Sequence, residues 1–293
     1  MFMALSDRHF IINVKIITML TLGFSPCPND TFIFYGLANR KIDLHGLEFD
    51  IVMEDVETLN RLAVEERLDV TKVSTHAYYY LREHYRFLRA GGAIGRGCGP
   101  LVVARGPIEM RDLTGKTVAV PGGLTTAVLL FKLYFASGMS FNFGSIKEMP
   151  FHKIMGAVRD GEVAAGLIIH EGRFTYPSYG LSLVTDLGEW WEKETGRPIP
   201  LGGIIARRAL GEDLCRVIEN IIRASVNYSL DNRAEAMPYI RSHSQELSED
   251  VINRHIDLYV NDYTVDMKDT GAAALEELLL KVDTVRRCAE GAR

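Results

Sequence analysis

Residues 20–34 read LTLGFSPCPNDTFIF. Leu20–Phe24 has the character of a buried strand, Pro26 and Pro28 fix a turn, and a helix is expected to start at Asn29 or Asp30. Phe32 and Phe34 then give that helix bulky anchors. A strand feeding a helix through a rigid turn opens an α/β sheet, and the following residues repeat the unit. LEFDIVME (47–54) alternates with period two, as a half-wet strand does. DVETLNRLAVEERL (55–68) offers Asp55 as a cap and an apolar stripe of Val56, Leu59, Leu62 and Ala63. DVTKVS (69–74) is a further short strand, and THAYYYLREHY (75–85) begins another helix.

The glycine-rich stretch 89–107 matches neither a dinucleotide nor a P-loop fingerprint. It reads as a hinge or crossover ending in the strand PLVVAR. The pattern then restarts: a strand and turn at KTVAVPGG, a helix whose first turn holds Thr125 and Thr126, a helix at FHKIMGAVRDGEV, and a strand from Ala164 ending at His170. Two more strands flank a polar segment bearing Trp190 and Trp191, read either as a lid over a ligand or as a solvated loop with one buried Trp. From Gly211 onward the chain reads as helical. The fold class expected is therefore α/β, two-lobed, with a ligand cleft between the lobes and a helical C-terminal segment. The divisions expected are an N-terminal extension 1–19, a discontinuous lobe 20–106 plus 206–293, and a second lobe 107–205.

Composition narrows the function. The chain has 293 residues, 47% hydrophobic and 24% charged, with a net charge of −5. That is an ordinary globular balance with no basic footprint for nucleic acid. No stretch is apolar over the roughly 20 residues that a membrane helix needs. The N-terminal residues lack the ordered charge, apolar core and cleavage site of a secretory signal, so a cytoplasmic protein is expected, with Met19 a candidate start. Cys27, Cys98, Cys215 and Cys288 are widely spaced and form no metal or disulfide framework.

Ligands of open α/β sheets gather at the carboxyl ends of strands. Four such junctions stand out: Ser25–Asp30, Lys72–Ala77, Pro121–Ala127 and Ile168–Phe174. Ser74, Thr75, Thr125 and Thr126 open helices, where free N–H groups and the dipole favour an anion; the alternative is plain capping facing water. His170, at the lip of an apolar strand, is the sharpest candidate for moving a proton, against the alternative of a satisfied structural histidine. His76 is a second histidine near the same cleft; His255 carries less weight. Cys27 at a helix start could be an activated thiol, but no base is implied nearby, and a small residue in a rigid turn is the favoured reading. No H-E-x-x-H occurs, so no metal is expected.

Six stretches in order carry a family resemblance: SPCPNDTFIFYGL, EDVETLN, TKVSTHAYYYLR, GGAIGRGCGPLVVAR, VAVPGGLTTA and AGLIIHEGRFTYPSYGL. Together the chain resembles the 1,4-dihydroxy-6-naphthoate synthases of the futalosine route to menaquinone, within the MqnA/MqnD family, from about Leu20 to the last helices. The resemblance implies a periplasmic-binding-protein type II fold used as a cytoplasmic lyase. It implies a reaction on cyclic dehypoxanthine futalosine, a small-molecule carboxylate, without metal or redox cofactor. It places the proton acceptor at His170 and substrate contacts at Lys72, Val73, Ser74, Thr125, Thr126 and Ala127. Read from the turn itself, the polar atoms of Ser25, Asn29 and Asp30 are further candidate contacts. Chorismate dehydratase of the same pathway and a non-catalytic solute-binding protein for a small anion remain as alternatives. Association as a homodimer stays open.

Overall fold

The protein is described from a computed structural model covering residues 18–137, 144–244 and 248–291, with side chains through residue 283 and at 285. Residues 1–17 of the expected extension and the Cys288 side chain fall outside the described residues. Thr18 and Met19, expected in the extension, instead belong to β1 (Thr18–Phe24) and pair with Leu47 and Glu48.

The first sheet grows as alternating strand and helix. β1 leads into α1 (Pro28–Ala38), then come β2 (Leu47–Met53), α2 (Val56–Val64), β3 (Val70–Ser74), α3 (Thr75–Leu81), β4 (Tyr85–Phe87) and β5 (Ala93–Gly95). α1 starts at Pro28, earlier than the expected Asn29 or Asp30, with Cys27 as N-cap and no side-chain cap bond. Proline suits the first helical position because its fixed φ is helical and its missing N–H had no partner to lose. Asp55 caps α2 as expected, accepting from Glu57 N and Thr58 N at 2.9 and 3.1 Å.

The second sheet is built from β6 (Leu101–Ala104), β7 (Thr117–Val120), α4 (Thr126–Ala136), β8 (Ser145–Glu148), α5 (Phe151–Arg159), β9 (Ala165–Ile168), α6 (Gly172–Thr175), β10 (Ser182–Asp186) and α7 (Leu187–Thr195). β11 (Ile199–Arg207) returns to the first sheet, and α8 (Glu212–Asp231), α9 (Arg233–His243), α10 (Glu249–Tyr259), α11 (Asp262–Val265) and α12 (Lys268–Gly291) complete the chain. The exchange points lie earlier than residues 106 and 205. β6 pairs with β9 and β10 in the second sheet, and β11 pairs with β3, β4 and β5 in the first.

The two sheets echo each other. The first runs β2-β1-β3-β11-β4, with β1 parallel to β2 and β3 and with β11 antiparallel. The second runs β10-β6-β9-β7-β8, with β7 parallel to β8 and β9 and with β6 antiparallel. In each, the strand order reverses beside the first parallel strand, and the crevice outside such a reversal is where ligands sit. The four strands flanking the two reversals are β1, β3, β7 and β9, so the four junctions singled out in the sequence come from the two crevices.

The Trp-bearing segment is helix α7, not a loop or a lid. Asp186 caps it, accepting from Gly188 N at 2.9 Å, and Trp191 is fully buried with Nε1 donating to Pro198 O at 3.1 Å. Trp190 packs edge-on against Tyr134. Gly99 and Gly188 let the chain entering β6 pass against the first turn of α7; a Cβ built on Gly99 would lie 2.3 Å from Gly188 Cα.

α1 is buried from Pro28 to Leu37, on every face. A helix this apolar needs cover all round. The sheet supplies one side, with Phe24 stacked on Phe34 at 4.5 Å, and α8, α9 and α10 supply the other. This is how the C-terminal helices reach the turn at residues 25–30.

Candidate active site

One cavity draws on all four junctions. It encloses about 640 Å³ of empty space, its open mouth included. Its walls include Ser25, Asn29 and Asp30 from the β1–α1 turn, Lys72, Val73 and Ser74 from β3, Thr125, Thr126 and Ala127 at the start of α4, and His170 after β9. The proton-acceptor candidate and the nine expected substrate contacts therefore border this one space, whereas Thr75 and His76 do not.

The polar floor is a closed network around Asp30. Its Oδ2 accepts from Ser25 N at 3.2 Å and Ser25 Oγ at 2.7 Å; its Oδ1 accepts from Asn29 Nδ2 at 2.9 Å and Lys72 Nζ at 2.8 Å. Lys72 also donates to Gly91 O at 3.3 Å. An ammonium has three hydrogens, so Lys72 keeps one donor for the cavity, with most of its charge answered by Asp30.

The hydroxyls divide into two groups. Ser74 Oγ accepts from Asn60 Nδ2 at 3.2 Å, leaving its hydrogen free to donate. Thr125 Oγ1 donates to Gly122 O at 2.8 Å and caps α4 by accepting from Val128 N at 3.3 Å. Thr126 Oγ1 donates to Leu201 O at 2.6 Å and accepts from His76 N at 3.3 Å. Both threonine hydrogens are thus spent on backbone, and what α4 offers an anion is its first-turn N–H groups, at Thr126 and Ala127, which have no helical acceptor.

β9 ends at Ile168, two residues before the expected end at His170, and the chain turns. His170 adopts the left-handed conformation, φ +54°. Such backbone in a non-glycine residue persists where surrounding structure holds it, and it concentrates at functional sites. Arg173 holds this turn: it donates to Gly99 O at 2.8 Å and pairs with Asp186 at 2.5 Å. The imidazole packs against Phe151 at 5.3 Å, and burial lowers its pKa to about 4, with Asp30 pulling weakly the other way. His170 is therefore neutral at pH 7, with a lone pair able to take a proton. It also borders a second cavity of about 650 Å³, lined among others by Cys27, Glu54, Asp55 and His152.

His76 lies behind this surface and does not border the cavity. It is buried, its Nδ1 is 3.3 Å from Thr125 O, and burial lowers its pKa to about 4. It ties α3 to the start of α4. Burial first, then the Glu171 charge, raise the Cys27 thiol pKa well above the ordinary value, which favours the turn-residue reading over an activated thiol. Cys27→Ala should leave turnover within about twofold of the wild type, since the thiolate, not the thiol, is the nucleophile; a steady-state assay that finds activity abolished restores the thiol as a reactant.

Sequence reasoning missed His255 and Tyr259. Both sit on α10, buried, and Tyr259 borders the cavity. The signal was present: Ile252, His255, Ile256 and Tyr259 fall at helical spacing on one buried stripe. Burial, reinforced by His170 and Lys72, lowers the His255 pKa well below the ordinary value. Among the described residues no cluster of His, Cys, Asp or Glu could hold a metal, and no helix is long and apolar enough to cross a membrane.

Sequence comparison gives a family to this geometry. Residues 20–283 match a protein family described as menaquinone biosynthesis. The chain belongs to that family. It is 52% identical over 264 residues to the 1,4-dihydroxy-6-naphtoate synthase of Thermus thermophilus, covering 90% of this chain and 94% of the relative. It is 46% identical over 272 residues to the enzyme of the same name from Streptomyces coelicolor, covering 93% and 94%. Family members are enzymes acting on a small molecule, and so is this chain. A solved protein from Archaeoglobus fulgidus superposes with a TM-score of 0.84 at 39% identity, over 94% of this chain and 98% of that one. The periplasmic aliphatic sulphonate binding protein of Escherichia coli superposes at 0.65 with 12% identity, over 92% and 87%, which establishes the periplasmic-binding-protein fold alone.

Three histidines held neutral, His76 and His255 buried and His170 at the cavity wall, make acid a threat to the fold. The folded pKa values of His76, His170 and His255 are depressed. Below the ordinary histidine pKa of about 6.5, the unfolded chain binds protons that the folded chain refuses, so stability falls as pH falls toward about 4. Urea unfolding at pH 7 and pH 5 should show a lower midpoint at pH 5, with up to about 2 kcal/mol of the loss from His76. His76→Asn should flatten the dependence.

Proposed function

We propose that this protein is a cytoplasmic 1,4-dihydroxy-6-naphthoate synthase that fragments cyclic dehypoxanthine futalosine, with neutral His170 as the proton acceptor. The observation that carries the reading is the place of His170: an imidazole held in a left-handed turn, at the wall shared by two cavities. The substrate carboxylate is held by the first-turn N–H groups at Thr126 and Ala127, the Ser74 hydroxyl and the remaining Lys72 donor. The ring system lies over the apolar wall of Val73, Ala127 and Ile169, and the cyclised sugar reaches past His170 into the second cavity. His170 takes a proton from a carbon of the sugar portion, the pair left behind forms a double bond as the bond joining the sugar to the ring system breaks, and the ring system keeps that bond's pair and recovers the proton from the imidazolium, releasing the naphthoate and a sugar-derived fragment. Two lobes close over the cleft in this reading, one carrying residues up to about 100 and again from 199, the other residues 101–198. Closure excludes water and strengthens the anion contacts.

The test is an assay of the purified protein on cyclic dehypoxanthine futalosine and, separately, on chorismate. Formation of 1,4-dihydroxy-6-naphthoate is expected from the first alone. Dehydration of chorismate, or tight binding of a small carboxylate with no turnover of either compound, would overturn the assignment.

A further inference from the structure

α10 carries a histidine onto the helix face that covers α1. His255 is fully buried, its Nε2 lies 2.9 Å from Asn29 Oδ1, and its ring runs parallel to that of His170, 8° between planes and 6.1 Å between centres. The direction of this hydrogen bond follows from the other end of Asn29. Asn29 Nδ2 donates to Asp30 Oδ1. A carboxylate that also receives Lys72 and Ser25 only accepts, so a flipped Asn29 would set two oxygens against each other. The Asn29 oxygen therefore faces His255 and can only accept, so His255 donates from Nε2 and is the Nε2–H tautomer. Its Nδ1 carries the lone pair and has no hydrogen-bond partner. Asn29 is left with one amide hydrogen free at the edge of the cavity.

We propose that His255 is a positioning residue of this site: its Nε2–H fixes the Asn29 amide and its ring face sets the plane of His170, so that both groups meet the substrate in one orientation. The inference rests on the reading of His170 as proton acceptor. His255 takes no proton itself; it acts through its two neighbours.

Three substitutions separate this role from simple filling of the core. Glutamine places its amide nitrogen near the Nε2 position and can still donate to Asn29. Asparagine reaches only to the Nδ1 position, and phenylalanine keeps the ring without a donor. His255→Gln should keep kcat within about threefold of the wild type, whereas His255→Asn and His255→Phe should lose about tenfold to a hundredfold, as expected when a buried acceptor loses its donor. KM should move less than kcat, because the carboxylate contacts are untouched. Equal kcat for the Gln and Asn variants, whether high or low, would overturn the proposal, and so would a Phe variant with wild-type kcat. If the Phe variant fails to fold, the Gln and Asn pair decides alone. Wild-type turnover measured alongside separates failure of this proposal from failure of the assigned reaction. Nitrogen-15 spectra of the wild type at pH 7 should show His255 protonated at Nε2, whatever the substrate; protonation at Nδ1 contradicts it.

Discussion

His170→Asn lowers product formation by roughly 10²–10⁴-fold, the usual contribution of a positioned acid–base group, while substrate still binds. Asparagine is the informative replacement. It is one of the few residues that accept the left-handed backbone His170 occupies at φ +54°, so the turn held by Arg173 and Asp186 survives. It also cannot accept a proton at neutral pH. A deficit confined to kcat, with binding of a carboxylate ligand retained by calorimetry, identifies lost chemistry and not lost structure. The pH profile carries a second mark. With the pKa lowered to about 4, the free enzyme holds His170 neutral from about pH 5 upward, so the acid limb of kcat/KM falls near 4, below the ordinary histidine range near 6.5. Turnover by His170→Asn close to wild type removes His170 from the role.

Asp30→Asn destabilises the fold by roughly 3–5 kcal/mol, the cost of leaving a buried charge without its partner. Lys72 and Asp30 are 5% and 2% exposed, and the only other acceptor shown for the ammonium is Gly91 O. The isosteric change keeps the packing and removes one charge, so Lys72 must shed its proton or draw water into the floor of the site. Adding Lys72→Met should restore much of the loss, since apolar replacements of a buried pair are often close to neutral. Urea unfolding of the single and double variants measures both terms. A single variant within 1 kcal/mol of wild type, by the scale of surface pairs, would mean that the pair contributes no more than a surface one.

How far the sequence reaches into this molecule depends on the range of the interaction involved. The β1–turn–α1 unit is legible from local pattern: two prolines, an apolar strand and paired phenylalanines mark it, although its cover comes from distant helices. The ten residues read from the sequence as contacts border one cavity, and they could be picked out because each lies in or just after the junction that follows a strand, which local pattern places. Where packing between distant segments decides, local pattern fell short. β8, reading Ser145-Ile146-Lys147-Glu148, has a polar strand sequence at a sheet edge, and its parallel partner β7 lies some 28 residues earlier in its register. The strand before His170 ends two residues early because its partner β6 begins at Leu101, opposite Ile168, and β6 lies more than 60 residues away in sequence. His255 joins the site only because α1 is apolar all round and α10 covers it, which brings residues 226 positions apart into hydrogen-bond contact. Thr125 and Thr126 were read as candidate contacts, but that the Thr126 hydroxyl is spent on Leu201, 75 residues away, is a tertiary fact.

The central claim is that His170 accepts a proton from the bound substrate, and geometry tests it most directly. In a crystal structure of His170→Asn, or of the wild type with an unreactive substrate analogue, the residue-170 side chain should lie about 3–3.5 Å from the carbon that loses the proton, the separation of a near-attack arrangement, with the ligand carboxylate at the start of α4. A ligand seated with its sugar portion on the far side of the cavity, the reacting carbon beyond reach of residue 170 and beside another base, would contradict it.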